Sequence, residues 1–383
     1  MEGQRKTHPR LEIRRLSEAD FAGLSGAWDE LLSQSDADPL FMSWPWLYSW
    51  WEVWNRCLEL ELALFGVFDE ADTLVGLAPF FLHQFRSPLG MTVRRLHFLG
   101  NAWRILPTVR TEYCGLIIRR GLEEPIAELL LAEVARLTWH EVVVCDQSMQ
   151  ELLQWQEAFD RQGQNVLTVP RSIDAGVRVP VNGAFSDWLH ELGPNTRLKA
   201  YNRRKYLAKR GELSYRRVAS AEAKEFLRTL NEFHHKRWGK PCFDDRAVDF
   251  HQRLLERLPE ERVALSALNF NDKTVSVLYD VKAGSTRYNL QAGFDEFFDP
   301  KVALGTLHLG YAIEESFSDP DIACYDLLAG RGKKSFYKSR FQGEKVHFVT
   351  VQFARHPVMR CIYRVQSWLP GVLRQQINRY VRL

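Results

Sequence analysis

The sequence predicts an α/β chain built as two related halves, each a mixed, twisted sheet with flanking helices. Three observations carry that expectation. At 383 residues the chain is too long for one ordinary core. Its 45% hydrophobic and 26% charged content is the profile of a soluble globular protein. One order of elements, hairpin then strand then helix then strand, occurs twice along it.

The first copy opens with Glu61–His83, ELALFGVFDEADTLVGLAPFFLH, and the second with Arg262–Lys282, RVALSALNFNDKTVSVLYDVK. Each is an apolar run, a turn containing Asp, and another apolar run, which reads as a β-hairpin. After the first hairpin we expect a strand near Tyr113–Ile118, a helix near Glu123–Leu137 and a strand at Glu141–Cys145. Ile126, Leu129, Leu130, Val134 and Leu137 give that helix one apolar face. After the second come a strand at Arg287–Gly293, a helix near Leu304–Phe317 and a strand at Ile322–Leu328. Leu309, Ile313 and Phe317 repeat every four residues in that helix. Identity between the copies is weak, so the duplication rests on order and spacing. An insert between them reads as four helices, Phe185–Leu192, Asn195–Arg210, Ala221–Trp238 and Arg246–Leu258. The tail from His356 reads as one more helix, interrupted at Pro370-Gly371. The expected boundaries are 9–170, 171–355 and a basic C-terminal helix over 356–383.

A net charge of +3 is too small to imply nucleic-acid binding by the whole molecule. The N-terminus has no apolar run after its basic residues, so no secretory signal is expected there. The longest uncharged stretch, Pro39–Trp51, falls short of the roughly 20 residues of a membrane span. Six scattered cysteines with no CxxC pair suit reduced thiols in the cytoplasm, with no metal site expected. Trp44, Trp46, Trp50, Trp51 and Trp54 suit a core helix face, and also a surface that stacks on a sugar ring.

This order of elements resembles the GNAT acyltransferase fold, so tandem GNAT-like halves are expected. In that fold a central strand splays from its neighbour, and the next helix points its N-terminus at the pyrophosphate of coenzyme A. Free N–H groups and a partial positive charge suit a helix start to phosphate. The helix of the first half opens on Gly121-Leu122-Glu123-Glu124, whose carboxylates would repel a phosphate. That of the second opens on Lys301-Val302-Ala303-Leu304-Gly305-Thr306 and meets no acid before Glu314. Lys301, Leu304, Gly305 and Thr306 are therefore the candidate acyl-donor residues. Gly305 also fits a helix start that simply packs tightly.

Further pieces resemble one GNAT branch, the acetyltransferase-like (BioF2-like) family associated with cellulose and exopolysaccharide gene clusters. Tyr325-Asp326-Leu327-Leu328-Ala329-Gly330 followed by Phe336-Tyr337-Lys338 resembles its "DFL-G…YK" ending. Asn195-Thr196-Arg197 with Arg203-Arg204, His234-His235-Lys236-Arg237-Trp238, Gly293-Phe294-Asp295 and Leu304-Gly305 match other family stretches, as do Phe41–Leu47, Gly76–Phe80 and Leu96–Gly100. The resemblance covers roughly residues 38–345. The chain departs from it at Val302-Ala303, where Ser-Pro is usual, and in the extra residues Arg331–Ser335. The doubled fold also resembles the Fem-type aminoacyltransferases, which makes aminoacyl-tRNA the runner-up donor.

The resemblance implies direct attack of an amine on a thioester, with no protein nucleophile, no permanently bound cofactor and acyl-CoA as co-substrate. The protein then orients the reactants, polarises the carbonyl and moves two protons. Asp326 is the candidate proton acceptor, or else a carboxylate bonded to nearby backbone. Tyr337 is the candidate donor to the leaving thiolate, or else a packed aromatic. Lys338 suits a phosphate or carboxylate, or solvent. Simple alternation places Arg287, Asn289 and Gln291 on one strand face, as in a wet cleft or an exposed edge. His234, Arg237 and Trp238 close the helix before Lys240-Pro241 and are candidate substrate contacts, although cations there also suit the helix dipole.

Arg197, Lys199, Arg203, Arg204, Lys205, Lys209 and Arg210 share one expected helix with no acid among them. They fit an anionic carrier, donor phosphates, a tRNA acceptor stem or a solvated face. The arginines of the tail, interleaved with Val358, Ile362, Val365, Trp368 and Leu369, fit contact with the inner face of a membrane, or docking on the second half. The expectation is an N-acyltransferase from acyl-CoA, acetyl-CoA foremost, to an amino sugar or related amine in polysaccharide or envelope assembly. An aminoacyl-tRNA-dependent transferase and a non-catalytic scaffold of GNAT fold are the alternatives.

Overall fold

The computed structural model describes residues 10–87, 90–330 and 337–368, the side chain of Tyr337 excepted. The chain divides into two compact units. The first runs to Ile173 and resumes at Phe348; the second is Asp174–His347.

The first unit begins with β1 (Glu12–Leu16), α1 (Glu18–Gly23), α2 (Ser25–Ser33) and α3 (Trp44–Trp54). Ser17 caps α1 through a capping box with Asp20, and Ser43 caps α3, whose first turn holds Pro45. Trp46, Trp50, Trp51 and Trp54 are all buried, and Trp50 stacks on Phe81 with ring centroids 5.5 Å apart. The tryptophan cluster is thus a core face. Next come β2 (Glu61–Phe68), β3 (Leu74–Arg86), β4 (Thr92–Phe98), β5 (Ile117–Ile118), α4 (Glu123–Arg136), β6 (Glu141–Gln147), α5 (Met149–Arg161) and β7 (Leu167–Pro180), which runs on into the second unit.

β2 and β3 form the expected hairpin. The strand after it is β4, however, and the one expected near Tyr113–Ile118 is only the two-residue β5 on β3. β4 pairs in parallel with β6 over Arg95–His97 and Glu141–Val143.

In the second unit, after the end of β7, come α6 (Phe185–Glu191), α7 (Pro194–Arg197), a π-helical turn (Leu198–Asn202), α8 (Arg203–Ala208), β8 (Leu213–Val218), α9 (Ala223–Trp238) and α10 (Asp245–Arg257). The expected helix Asn195–Arg210 is therefore interrupted by a wider turn. β9 (Val263–Phe270) and β10 (Lys273–Ala283) make the second hairpin, followed by β11 (Thr286–Phe294), α11 (Leu304–Phe317) and β12 (Cys324–Asp326). β13 (Glu344–Ala354) leads back to the first unit, which ends in α12 (Pro357–Trp368).

The two sheets repeat one plan. In the first unit the order β2-β3-β4-β6 is closed by antiparallel β13; in the second, β9-β10-β11-β12 is closed by antiparallel β7. Each has a hairpin, an antiparallel third strand and a parallel fourth. The fold is a tandem of GNAT-like units.

α12 docks on the first unit, where Met359 and Tyr363 join Val93 and Ala354 in a buried cluster. That corrects the expectation of docking on the second half. The inward face differs too: Val358, Val365 and Trp368 lie outside, Trp368 at 87% exposure. No helix among the described residues is long and apolar enough to cross a membrane.

Candidate acyl-transfer site

In the second unit the parallel pair β11–β12 holds for three residues only, Thr286–Tyr288 against Cys324–Asp326. Beyond that point the chain after β12 follows β7, with Leu327 N–H donating to Val177 O at 2.9 Å and Gly330 N–H to Ala175 O at 3.2 Å. β11 continues to Phe294, so the two strands splay and leave β11 an open edge. A bulge shapes that edge: Asn289 pairs with Asp280 and Gln291 with Tyr279, leaving Leu290 unmatched.

The bulge reverses the alternation. Ala292 packs against the core cluster that holds Leu309, Ala312 and Ile313 of α11, whereas a Cβ on Gly293 would meet Leu230 and Phe233 of α9. Gln291, next to Ala292, is therefore on the α9 face, away from Asn289, and the expected row of three polar groups is corrected. At the open edge Ala292 N–H donates to Gln291 Oε1 at 3.1 Å, and His234 Nε2 donates to Ala292 O at 3.0 Å. Both main-chain groups of Ala292 are thus satisfied by side chains rather than by a strand.

α11 begins beside this edge. No side chain caps it, and its first turn holds no acid. Among the described residues no acceptor outside the helix takes the amides of Leu304, Gly305 or Thr306. Gly305 lies against the end of β11: a Cβ there would come within 2.7 Å of the Phe294 ring. Tight packing against Phe294 is thus one reason for a glycine here. Leu304 is buried with Leu307 and Leu268 in the core, while Lys301 is exposed and Thr306 half-buried. Farther along, a Cβ on Gly310 would lie 2.0 Å from Ala200 O, so α11 is seated directly on the π-helical turn. In the first unit the counterpart helix α4 turns Glu123 back onto the Gly121 amide at 2.8 Å, filling the anion's place with a carboxylate.

Phe294 also receives Arg237, whose guanidinium carbon is 4.7 Å from the ring centroid and whose Nε pairs with Glu296 at 2.5 Å. Trp238 is half exposed beside it. His234, Arg237, Trp238, Gln291 and Gly305 therefore converge on the end of β11. The outer side of α9 borders a separate groove of about 750 Å³ towards α10, lined by Arg228, Asn231, His235 and Lys236.

Asn289 belongs instead to a buried network that sequence patterning did not reveal. Asp280 accepts from Arg287 Nε at 2.7 Å, Asn289 Nδ2 at 2.8 Å and Tyr325 OH at 2.9 Å. Arg287 Nη1 also donates to Glu315 Oε2 at 2.6 Å, and Tyr215 OH to the same oxygen at 2.7 Å. Burial opposes ionisation of Glu315, but Arg287, Tyr215 and Arg217 prevail and its carboxyl is pushed down to about 2. Only the polar residues Asp280, Arg287 and Glu315 inside otherwise apolar elements hinted at this. Nearby, His308 is buried between Ser266 and Ser276, and burial pushes its imidazole down to about 3.

Asp326 and Lys338 shape the segment on the other side of the splay. Asp326 Oδ1 accepts from Leu328 N–H at 2.7 Å, and its Oδ2 is 3.6 Å from Arg178 Nε. Leu328 has φ +57°, a strained conformation that the aspartate pins. Lys338 is buried and donates to the carbonyls of Leu327, Leu328 (2.9 Å) and Ala329 (2.7 Å). Three donors spent on a turn correct the expectation of an ammonium directed at a phosphate or carboxylate. The side chain of Tyr337 lies outside the described residues.

The basic segment is likewise relieved from outside itself. Arg204 bonds to Glu314 of α11 and stacks 3.5 Å from the Tyr311 ring centroid. Arg210 stands 3.5 Å from Asp299, and Arg203 lies over Tyr206. Arg197 is half-buried, whereas Lys205 and Lys209 are exposed.

Residues 194–339 match the acetyltransferase (GNAT) domain family. No curated protein matches the chain by sequence. Among solved structures the chain is similar to FemX, at 11% identity and TM-score 0.59, covering 92% of this chain and 99% of that one. It is also similar to the C-terminal domain of a putative lysylphosphatidylglycerol synthetase from Agrobacterium fabrum, at 8% identity, TM-score 0.51 and coverage of 94% and 97%. A conserved protein of unknown function from Bacteroides thetaiotaomicron matches at 12% identity, TM-score 0.50 and coverage of 90% and 100%. At such identities these likenesses concern the fold. The match to the acetyltransferase (GNAT) domain, over residues 194–339, falls on the unit whose strands splay beside an uncapped helix, and the chain is an acyltransferase.

Proposed function

We propose that the second unit transfers an acyl group, acetyl foremost, from acyl-CoA to the amine of an amino sugar or related precursor in polysaccharide or envelope biosynthesis. The observation that carries this reading is the open β11 edge beside the acid-free start of α11. The pantetheine arm lies along the edge, its pyrophosphate at Leu304–Thr306 with Lys301 outside. The amine nitrogen bonds to the thioester carbonyl carbon, the C–S bond breaks, and the nitrogen's proton leaves to solvent or a base. The Ala292 amide, released by Gln291, stabilises the oxyanion. Tyr337 protonates the thiolate, the role its family motif implies. His234, Arg237 and Trp238 border the acceptor.

The polysaccharide assignment rests on the motif resemblance alone. The cationic run Arg197–Arg210 supports a second reading, an aminoacyl-tRNA donor. The outward apolar side of α12, with its arginines and no acid, supports contact with the cytoplasmic face of a membrane.

The test is CoA release by the full chain from acetyl- and longer acyl-CoAs against a panel of amines. Thr306→Glu should raise KM for acyl-CoA at least tenfold while leaving the fold intact. Absence of CoA release with every amine, together with transfer from aminoacyl-tRNA, would replace this reading with the second.

A further inference from the structure

The first unit contains a group of arginines that acyl transfer in the second does not use. Arg95 on β4 is 1% exposed, and its Nε donates to Glu141 Oε2 at 2.8 Å. Tyr363 of α12 donates to the other oxygen of Glu141 and accepts from Gln352 Nε2 at 2.9 Å. Arg171, from the part of β7 in this unit, donates from Nε to Gln352 Oε1 at 2.6 Å and stacks 4.6 Å from the Tyr363 ring centroid. Arg104, on the loop after β4, lies 4.3 Å from the centroid of Trp103, and Arg171 approaches the same ring at 5.7 Å. Three guanidinium groups thus share one small region.

Their charges do not balance. Among the described residues Glu141 is the one carboxylate bonded to the group, so three positive charges face one negative charge, an excess of two. The neighbouring histidines add no anion. His83 is neutral, pushed down to about 4 by burial and then by Arg95, and both ring nitrogens of His97 are buried without a partner. The arginines also have donors to spare: Arg95 Nη2, Arg104 Nη1 and Arg171 Nη2 are buried without an acceptor. Burial, then the charges of Arg171 and Arg95, depress Arg104 to about 10. Uncompensated buried charge is among the costliest features a fold can hold.

The loop bearing Arg104 gives access. Residues Asn101–Arg110 line a cavity of about 420 Å³. Arg104 itself has φ +58°, the left-handed region that a non-glycine residue rarely adopts. Arg104 lines that cavity, and its Trp103 neighbour is the ring that Arg171 also approaches.

We propose that Arg95, Arg104 and Arg171 form a binding site in the first unit for the phosphate dianion of a small phosphorylated molecule. A dianion cancels the excess of two charges, and its oxygens accept from the three unused donors.

Thermal unfolding of the full chain, titrated with inorganic phosphate, glucose 6-phosphate and chloride at matched ionic strength, tests this. Saturable stabilisation by inorganic phosphate or the ester beyond the chloride response is expected, and the tighter of the two identifies a free or an esterified ligand. Arg104→Gln and Arg171→Gln should each weaken that response at least tenfold. Arg94→Gln, whose side chain pairs with Glu61 on the outside, should not. Phosphorus NMR on the wild-type chain reads binding without any substitution. Equal responses to phosphates and chloride, no bound phosphorus signal, or equal losses in Arg94→Gln and Arg104→Gln would overturn the site. Because the readout is binding, failure of the acyl-CoA assay leaves this result unaffected.

Discussion

Gly310→Ala is a one-methyl test of how α11 is seated. The added Cβ would lie 2.0 Å from Ala200 O and 2.8 Å from its carbonyl carbon. Carbon and carbonyl oxygen ordinarily approach to about 3.3 Å, so α11 and the π-helical turn must part by more than ~1 Å. Both are main chain, and neither can yield by a rotamer change. Overpacking costs about 1–3 kcal/mol, and more where backbone opposes backbone. Alanine returns about 0.5–1 kcal/mol of helix propensity. At the upper end of that range the net loss is about 2–2.5 kcal/mol, or roughly 4–10 °C for a unit of this size. Gly26→Ala in α2, where no atom lies within 4 Å of the added carbon, should be neutral or stabilising by up to ~1 kcal/mol. Urea and thermal unfolding, followed by circular dichroism on both variants, compare one chemical change at two sites. If α11 supplies the proposed donor amides, Gly310→Ala should also weaken acyl-CoA binding. Equal stability of the two variants would refute the close approach on which the geometry of the helix start depends.

Two further outcomes follow from the same unit. Glu315 is held at about 2 by Arg287, below the ~4.3 of an unfolded glutamate, so its contribution is complete above pH ~4.3 and is lost as pH falls through 2. With solvent screening this amounts to about 2 kcal/mol. Acid titration of Glu315→Gln should therefore show a shallower loss of stability between pH ~4.3 and ~2 than wild type, and an identical slope would count against the pairing. Lys338→Met strips three carbonyls of a buried donor and should cost on the order of 3 kcal/mol. Hydrogen exchange should quicken at Leu327–Gly330 while β9 and β10 stay protected; unchanged exchange would return Lys338 to a solvent role.

The two hairpins, the helix that follows each and their repetition were legible because each depends on local periodicity. Leu304–Phe317 was readable to its ends, since Leu309 and Ile313 face the core at helical spacing. What escaped was set by partners distant in sequence. The bulge at Leu290 arises from pairing with β10, and it moved Gln291 off the face that simple alternation assigns. The basic run Arg197–Arg210 looked uncompensated because its acids, Glu314 and Asp299, arrive from α11 and the loop before it. Asp326 and Lys338 were legible as polar residues at a strand's end. That both bond to the turn over Leu327–Ala329 depended on where the chain travels after the splay.

The closing strand of the first unit has a consequence for how the protein is made. β6 waits for β13, which is synthesised only after almost all of the second unit. The unit that leaves the ribosome first is therefore completed last. Its β6 edge, Glu141–Gln147, stays open through the translation of some two hundred residues, during which strand-to-strand aggregation is the competing fate. A nascent chain halted near Ile173 should expose that edge to chaperones and proteases. One halted after β13 should not, and the interval between the two measures how long newborn molecules depend on protection.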